Sequence, residues 1–477
     1  MRLELSMMAL LLLWAMPSRA SEETEKPPPE PVGASFRQEG DLAIYQAIVA
    51  GRILDWAIVP QPAPPDAIAL LVEPETEEED NDKTREVFWW RLAGDGVLAR
   101  VGPDLSEAAT SVAAFDLGAD GLMEILVMAG AEVLAVGEDG SWTTVLESSY
   151  DVFAVEQTDG SRIRPKNGQL FLRSVGLLQA VTLDPSSGML RTVWQQELPV
   201  GVNRRWGGLR LESPSVAYWS GYESSPMRLV VGPEALGARR LRSLLLTVDD
   251  HNPPESMEVW SMFSNLEEVE ESWFVTFEEA PALLVTTVLA DKHGVFEKKK
   301  LRLFTLSADR TRSGTTPLLE TMTKSRNWYG TCAGIADING DGLDDVVSAQ
   351  PKGLGAGKLW VEAHLARKTR GFDPKVRGSE IPVDEGEHCT LSVDVSGDGQ
   401  IDLVIVEGSD LLVFPLIRGA KEKAVVANSP FWRARFHDID GRPRPARLFH
   451  TSMAQVVLLG HTEGGRQAIR VVRFHEE

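Results

Sequence analysis

Asp337, Asn339, Asp341 and Asp345 place oxygen-bearing side chains at positions 1, 3, 5 and 9 of one short stretch, with Gly342 at position 6. That spacing suits a loop that wraps a hard cation, because calcium takes six to eight oxygens at about 2.3–2.6 Å. The backbone carbonyl of Leu343 would supply position 7, and Gly342 relaxes the turn where a Cβ would be costly. A second copy starts at Asp394, 57 residues after the first. Its ligands would be Asp394, Ser396, Asp398, Asp402 and the carbonyl of Gln400, and the neutral Ser396 predicts weaker binding. A weaker third copy has Asp116, Asp120 and Glu124, with the Leu122 carbonyl, but Gly118 gives it no side chain at position 3. A fourth stretch, 438–446, aligns in outline only. Arg442 and Ala446 stand where ligands would be, so no calcium is expected there. Asp344 either points away or is a spare ligand.

These loops do not fit the EF-hand. That motif needs a bidentate Glu at position 12 and a helix on each side, whereas position 12 is Ser348 in one loop and Ile405 in the other, both in apolar runs. Gly353-Leu-Gly355-Ala-Gly357-Lys358 lacks the helix a phosphate loop must open and reads as a hairpin turn. The eight histidines show no zinc-ligand spacing. No Gly-x-Ser-x-Gly or His-Glu-x-x-His motif occurs, so the reading leans away from an enzyme. The two cysteines, Cys332 and Cys389, each precede the first Asp of a loop by five residues and so occupy equivalent repeat positions. A disulfide between them and two buried thiols are both open readings.

Short runs of Val, Leu, Ile, Trp and Phe, separated by Gly, Asp, Pro and Ser, position these loops. This is an all-β pattern. Apolar second strands at 68–71, 125–128, 229–231, 283–285, 346–347, 403–406 and 456–459, with a weaker unit at 150–198, give eight units at a mean spacing of about 54 residues. The predicted fold is a single β-propeller over 51–477, of seven or eight four-stranded blades, eight by count, with calcium loops between the first two strands of some blades. Residues 21–50 are expected to be an acidic, proline-rich linker. Residues 1–20 are expected to be a signal peptide cut near Ala20, which predicts a secreted or periplasmic protein. The run Lys298-Lys299-Lys300 reads as a solvated hairpin.

The chain carries a net charge of -22, so it repels nucleic acid, and no later run is long enough to span a membrane. The motif Asp-x-Asn-Gly-Asp-Gly-x-x-Asp, between a strand and a Val-rich strand, resembles FG-GAP or VCBS-type repeats, the calcium-bearing blades of the integrin α-subunit head and of many exported proteins. The resemblance is specific over roughly 100 residues. It implies a monomeric, non-enzymatic propeller for adhesion, ligand binding or scaffolding, with calcium as cofactor and a protein or glycan ligand at the propeller face. The alternative is a carbohydrate-active propeller, either polysaccharide lyase-like or a lectin.

Overall fold

The computed structural model describes residues 32–75, 84–92, 96–118, 121–136, 140–149, 151–154, 169–174, 177–197, 201–203, 210–212, 216–219, 227–236, 240–248, 255–258, 267–278, 280–290, 297–305, 317–325, 331–351, 358–369, 371–383, 386–391, 393–419, 422–449 and 451–474. The expected signal peptide lies outside them. All regular structure among the described residues is β. They form seven four-stranded antiparallel sheets, one of five strands and one of two. Each four-stranded sheet is a meander whose strands lie in chain order.

The seven strong apolar runs all become the second strand of a sheet, and the weaker unit becomes a sheet of its own between Phe153 and Glu197. A second strand is covered on both faces, so it tolerates few polar side chains. Ile68 to Val72 are all 0% exposed, and Leu403 to Ile405 likewise. The hydrophobic clusters lie between sheets rather than within one. Val347 and Val361 of one sheet pack with Leu403 and Phe414 of the next. Val404 and Val413 pack with Val456 and Val472, and Val457 and Ile469 pack with Ile68 and Trp90. The last sheet therefore packs on the first four-stranded one. First strands also meet in sequence: Glu267–Phe277 on Cys332–Ala336, the latter on Gly386–Thr390, and that on Asp440–Ala446. Successive meanders stacked face to face in this order have the arrangement of propeller blades.

Two expectations are corrected. The segment 21–50 is not all linker, because Gly33–Glu39 and Leu42–Ile48 are paired strands. Leu42–Ile48 also pairs along its length with the C-terminal strand Gln467–Phe474, so both ends of the described chain share one sheet. Ile44, Ala47 and Ile48 are buried there, and the preceding prolines and acids masked that short apolar run. The lysine run is not a hairpin but part of the strand Glu297–Thr305. Alternation along a strand turns the middle side chain inward, and Lys299 is 1% exposed.

Candidate metal loops

Each candidate loop joins the first and second strands of its sheet. The first runs from Ala336, which ends one strand, to Asp345, which begins the next and is its register partner. Asp337 takes position 1. Its Oδ1 accepts from the amides of Gly340 (2.7 Å) and Asp341 (3.1 Å), and its Oδ2 from that of Gly342 (3.1 Å). The Asn339 side chain accepts from the Asp341 amide and donates to the Asp341 carboxylate. Gly342 sits at φ 82°, in the left-handed region that favours glycine. Asp345 is fully buried. Its Oδ2 accepts from the Ile338 amide (3.0 Å) and its Oδ1 from the Ala366 amide (2.7 Å). Burial above all, with Asp341 and Asp337 nearby, pushes its carboxyl up to about 6 against those two hydrogen bonds.

The second loop repeats this pattern. Asp394 accepts from the amides of Gly397 (2.6 Å) and Gly399 (2.8 Å), and Gly399 also has φ 82°. Asp402 is fully buried, accepts from the amides of Val395 and Ser396, and is raised to about 6, chiefly by burial. The Asp398 carboxylate accepts from the Gln400 amide, and the buried Gln400 Oε1 has no protein partner among the described residues. The third loop keeps the same two anchors: Asp116 accepts from the Gly121 amide and Glu124 from the Leu117 amide. Asp120 lies outside the described residues.

The outline copy at 438–446 is corrected. Its residues from Asp440 onward form the first strand of the last sheet, and Asp438 instead pairs with His461 Nδ1 at 2.8 Å. The loop at the equivalent place is 447–454, because Ala446 is the register partner of Gln455. Arg447 and Gln455 stand at positions 1 and 9 of that loop, so it has no acid at either. Gln455 Oε1 accepts from the Leu448 amide (2.7 Å), as Asp345 does from Ile338. In the Gly51–Ser106 sheet, buried Asp66 accepts from the Gln61 amide (2.9 Å) in the same place. Five sheets thus share one device. A side-chain oxygen at the foot of the second strand holds a backbone amide of the loop that follows the first.

Sequence reasoning missed two partners, and left open a bridge that the structure forms. Arg418, from the next sheet, donates to Asp337 Oδ2 at 2.9 Å. Asp344 accepts from the Glu278 amide of the preceding sheet (2.6 Å), so it is an inter-sheet contact rather than a spare ligand. Cys332 and Cys389 form a disulfide, with their Cα atoms 5.8 Å apart, between consecutive first strands.

The described residues hold no cluster of three or more acidic, histidine or cysteine side chains converged on one point. The donor set nonetheless fits a hard cation. Each strong loop offers only oxygen ligands, and buried Asp345 and Asp402 retain lone pairs beyond the backbone bonds they accept.

No protein-family model matches the chain, and no curated protein matches it in sequence. Among solved structures, the Dos1 propeller aligns at TM-score 0.47 and 8% identity, covering 90% of this chain and 94% of that one. The N-terminal part of BBS1, in complex with ARL6, aligns at 0.36 and 10% identity, covering 76% and 92%. No helix among the described residues is long and apolar enough to cross a membrane.

Proposed function

We propose that this chain is a closed eight-bladed β-propeller, braced by calcium in the loops at 337–345 and 394–402, and that it serves outside the cytoplasm as a non-enzymatic scaffold for a protein or glycan partner. One observation carries the reading: two loops at equivalent places share the same hydrogen-bonded frame, and both are filled with acidic oxygens. The eight sheets of four or five strands, with the last packed on the first four-stranded one, support the ring. Export rests on the apolar run and small residues before position 21.

In this reading Asp337, Asn339, Asp341 and Asp345, and Asp394, Ser396, Asp398 and Asp402, hold the ion, with the carbonyls of Leu343 and Gln400. Bound calcium would supply positive charge against the buried carboxylates and tie the loop ends together. Arg418 opposes it in the first loop by placing a cation beside Asp337. The third loop, with fewer oxygens, binds weakly at most.

The test is isothermal titration with calcium, paired with thermal melts, on the wild type and on an Asp341→Asn/Asp398→Asn double variant. Both carboxylates are exposed, so the variant keeps the fold. Extracellular sites of this kind bind at about 10⁻⁴–10⁻³ M. At about 1 mM calcium each site would then add about 0.4–1.4 kcal/mol of stability. The wild type should release or absorb heat and melt higher with calcium, and the variant should do neither. Absence of both responses in the wild type ends the calcium reading.

A further inference from the structure

We propose, resting on the calcium reading above, that Arg418 is a resident counter-cation of the 337–345 loop. Calcium then fills the 394–402 loop first and gains the 337–345 loop only by displacing this guanidinium. The order is the reverse of the one that the neutral Ser396 predicts for the second loop.

Asp337 and Asp394 hold position 1 of the two loops, and a carboxylate has about four acceptor sites. Asp337 has them all engaged. Its Oδ1 accepts from the amides of Gly340 and Asp341, and its Oδ2 from the Gly342 amide and from Arg418 Nη2 at 2.9 Å. Asp394 accepts only from the amides of Gly397 and Gly399 among the described residues, so half of its capacity stays open. The acid at position 5 differs in the same sense. Asp341 accepts from the Leu343 amide at Oδ1 and from Asn339 Nδ2 at Oδ2, whereas Asp398 accepts from the Gln400 amide alone. Each loop has three ligand acids, and only in the first is one of them paired to an arginine among the described residues.

The backbone of the next sheet brings Arg418 to this place. The Gly419 amide donates to the Ile338 carbonyl at 2.8 Å, and Arg377 donates to the Gly419 carbonyl at 2.8 Å. Residue 419 is thus seated on the first loop, and the arginine beside it hangs over Gly340. A Cβ built on Gly340 would lie 3.5 Å from Arg418 Nε. Gly397 is the equivalent glycine of the second loop, and a Cβ there would lie 3.1 Å from Met453 Sδ. The same place is filled by a cation over one loop and by a buried, uncharged thioether over the other. The Arg418 side chain is 55% exposed, so it can swing into water without unpacking the core.

The experiment is calcium titration calorimetry on the full chain with one loop disabled at a time. Asp398→Asn leaves the 337 loop, and Asp341→Asn leaves the 394 loop. The Asp341→Asn protein should bind about fivefold more tightly, the factor that an exposed ion pair represents. Adding Arg418→Gln to Asp398→Asn should tighten the 337 loop by about the same factor. Added to Asp341→Asn it should change nothing. Backbone contacts hold residue 419, so these variants keep the fold, and melting curves in EDTA check that. The wild type supplies a readout with Arg418 intact: two unequal sites, the tighter of them lost in Asp398→Asn. The proposal is overturned if the 337 loop binds as tightly as the 394 loop, or if Arg418→Gln leaves its affinity unchanged. Either result, with calcium bound, leaves the calcium reading standing. No heat from any of these proteins would sink that reading and the proposed order together.

Discussion

Replacing Asp345 with alanine should destabilise the protein even when calcium is absent, because this carboxylate holds the fold as well as any ion. Its two oxygens accept from the Ile338 and Ala366 amides, both buried. Alanine leaves both donors without partners in the interior, and each such loss costs about 1–3 kcal/mol. The expected loss is therefore about 2–6 kcal/mol in EDTA. Asparagine keeps one acceptor oxygen and sets an NH₂ against the other amide, so about half the penalty is expected. Gln455 is the control, because its amide oxygen accepts from Leu448 and Phe449 at the equivalent place in a loop with no acid at its two anchor positions. Gln455→Ala should cost about 1–4 kcal/mol, equally with and without calcium. The assay is urea unfolding of wild type, Asp345→Ala, Asp345→Asn and Gln455→Ala, in EDTA and in millimolar calcium. If Asp345→Ala in EDTA lies within about 0.5 kcal/mol of wild type, these backbone contacts carry no weight, and the reasoning fails.

Removing the disulfide by a Cys332→Ala/Cys389→Ala double substitution should cost about 4 kcal/mol in the chain-entropy model, because it closes a loop across a separation of 57 residues; a change under about 1 kcal/mol in urea unfolding would contradict the bridge. Gly334→Ala should destabilise strongly, since its Cβ would meet the Leu391 carbonyl at 2.0 Å; Gly342→Ala, in open space at φ 82°, should cost only about 1 kcal/mol of backbone strain, and equal melting temperatures for the two would refute the tight packing of adjacent first strands. The Arg435 and Arg433 guanidinium groups hold the Asp410 carboxyl at about 2, below its unfolded value. That stability is complete above about pH 4 and is lost as pH falls toward 2. With both arginines exposed it amounts to about 1 kcal/mol at most, so Asp410→Asn should flatten the acid limb of the stability profile, and an unchanged limb would count against the clamp.

The second strands were the most legible part of the fold. A strand covered on both faces must be apolar throughout, and Ile125–Met128 or Leu403–Val406 leaves no polar residue to blur the signal. Gly33–Ile48 was not legible, because its pairing partner lies more than 400 residues away and only the joined sheet makes its short apolar run useful. Lys299 was misread for a related reason: the lysine triplet says charge, whereas burial of its middle member depends on strand alternation within a sheet not yet assembled. Arg418 at Asp337 and Glu278 at Asp344 come from neighbouring sheets, and contacts across that interface leave no local spacing to read.

The misplaced fourth copy separates two tasks within one loop. Asp438-Ile-Asp440-Gly imitates the motif, yet it falls before and into the first strand, on the wrong side of the hairpin. The loop at the correct place, 447–454, carries no such signature and still folds in the same way, because Gln455 supplies the acceptor that Asp345, Asp402 and Glu124 supply elsewhere and Asp66 supplies near the start. Holding the backbone needs only one oxygen at the foot of the second strand, and acid or amide serves. Holding a cation needs further oxygens at positions 1, 3 and 5, and of the five loops compared only those at 337 and 394 have them all in sequence. A sheet can therefore lack every ion ligand and keep its hairpin, which is why the motif marks so few of the sheets that the strand spacing reveals.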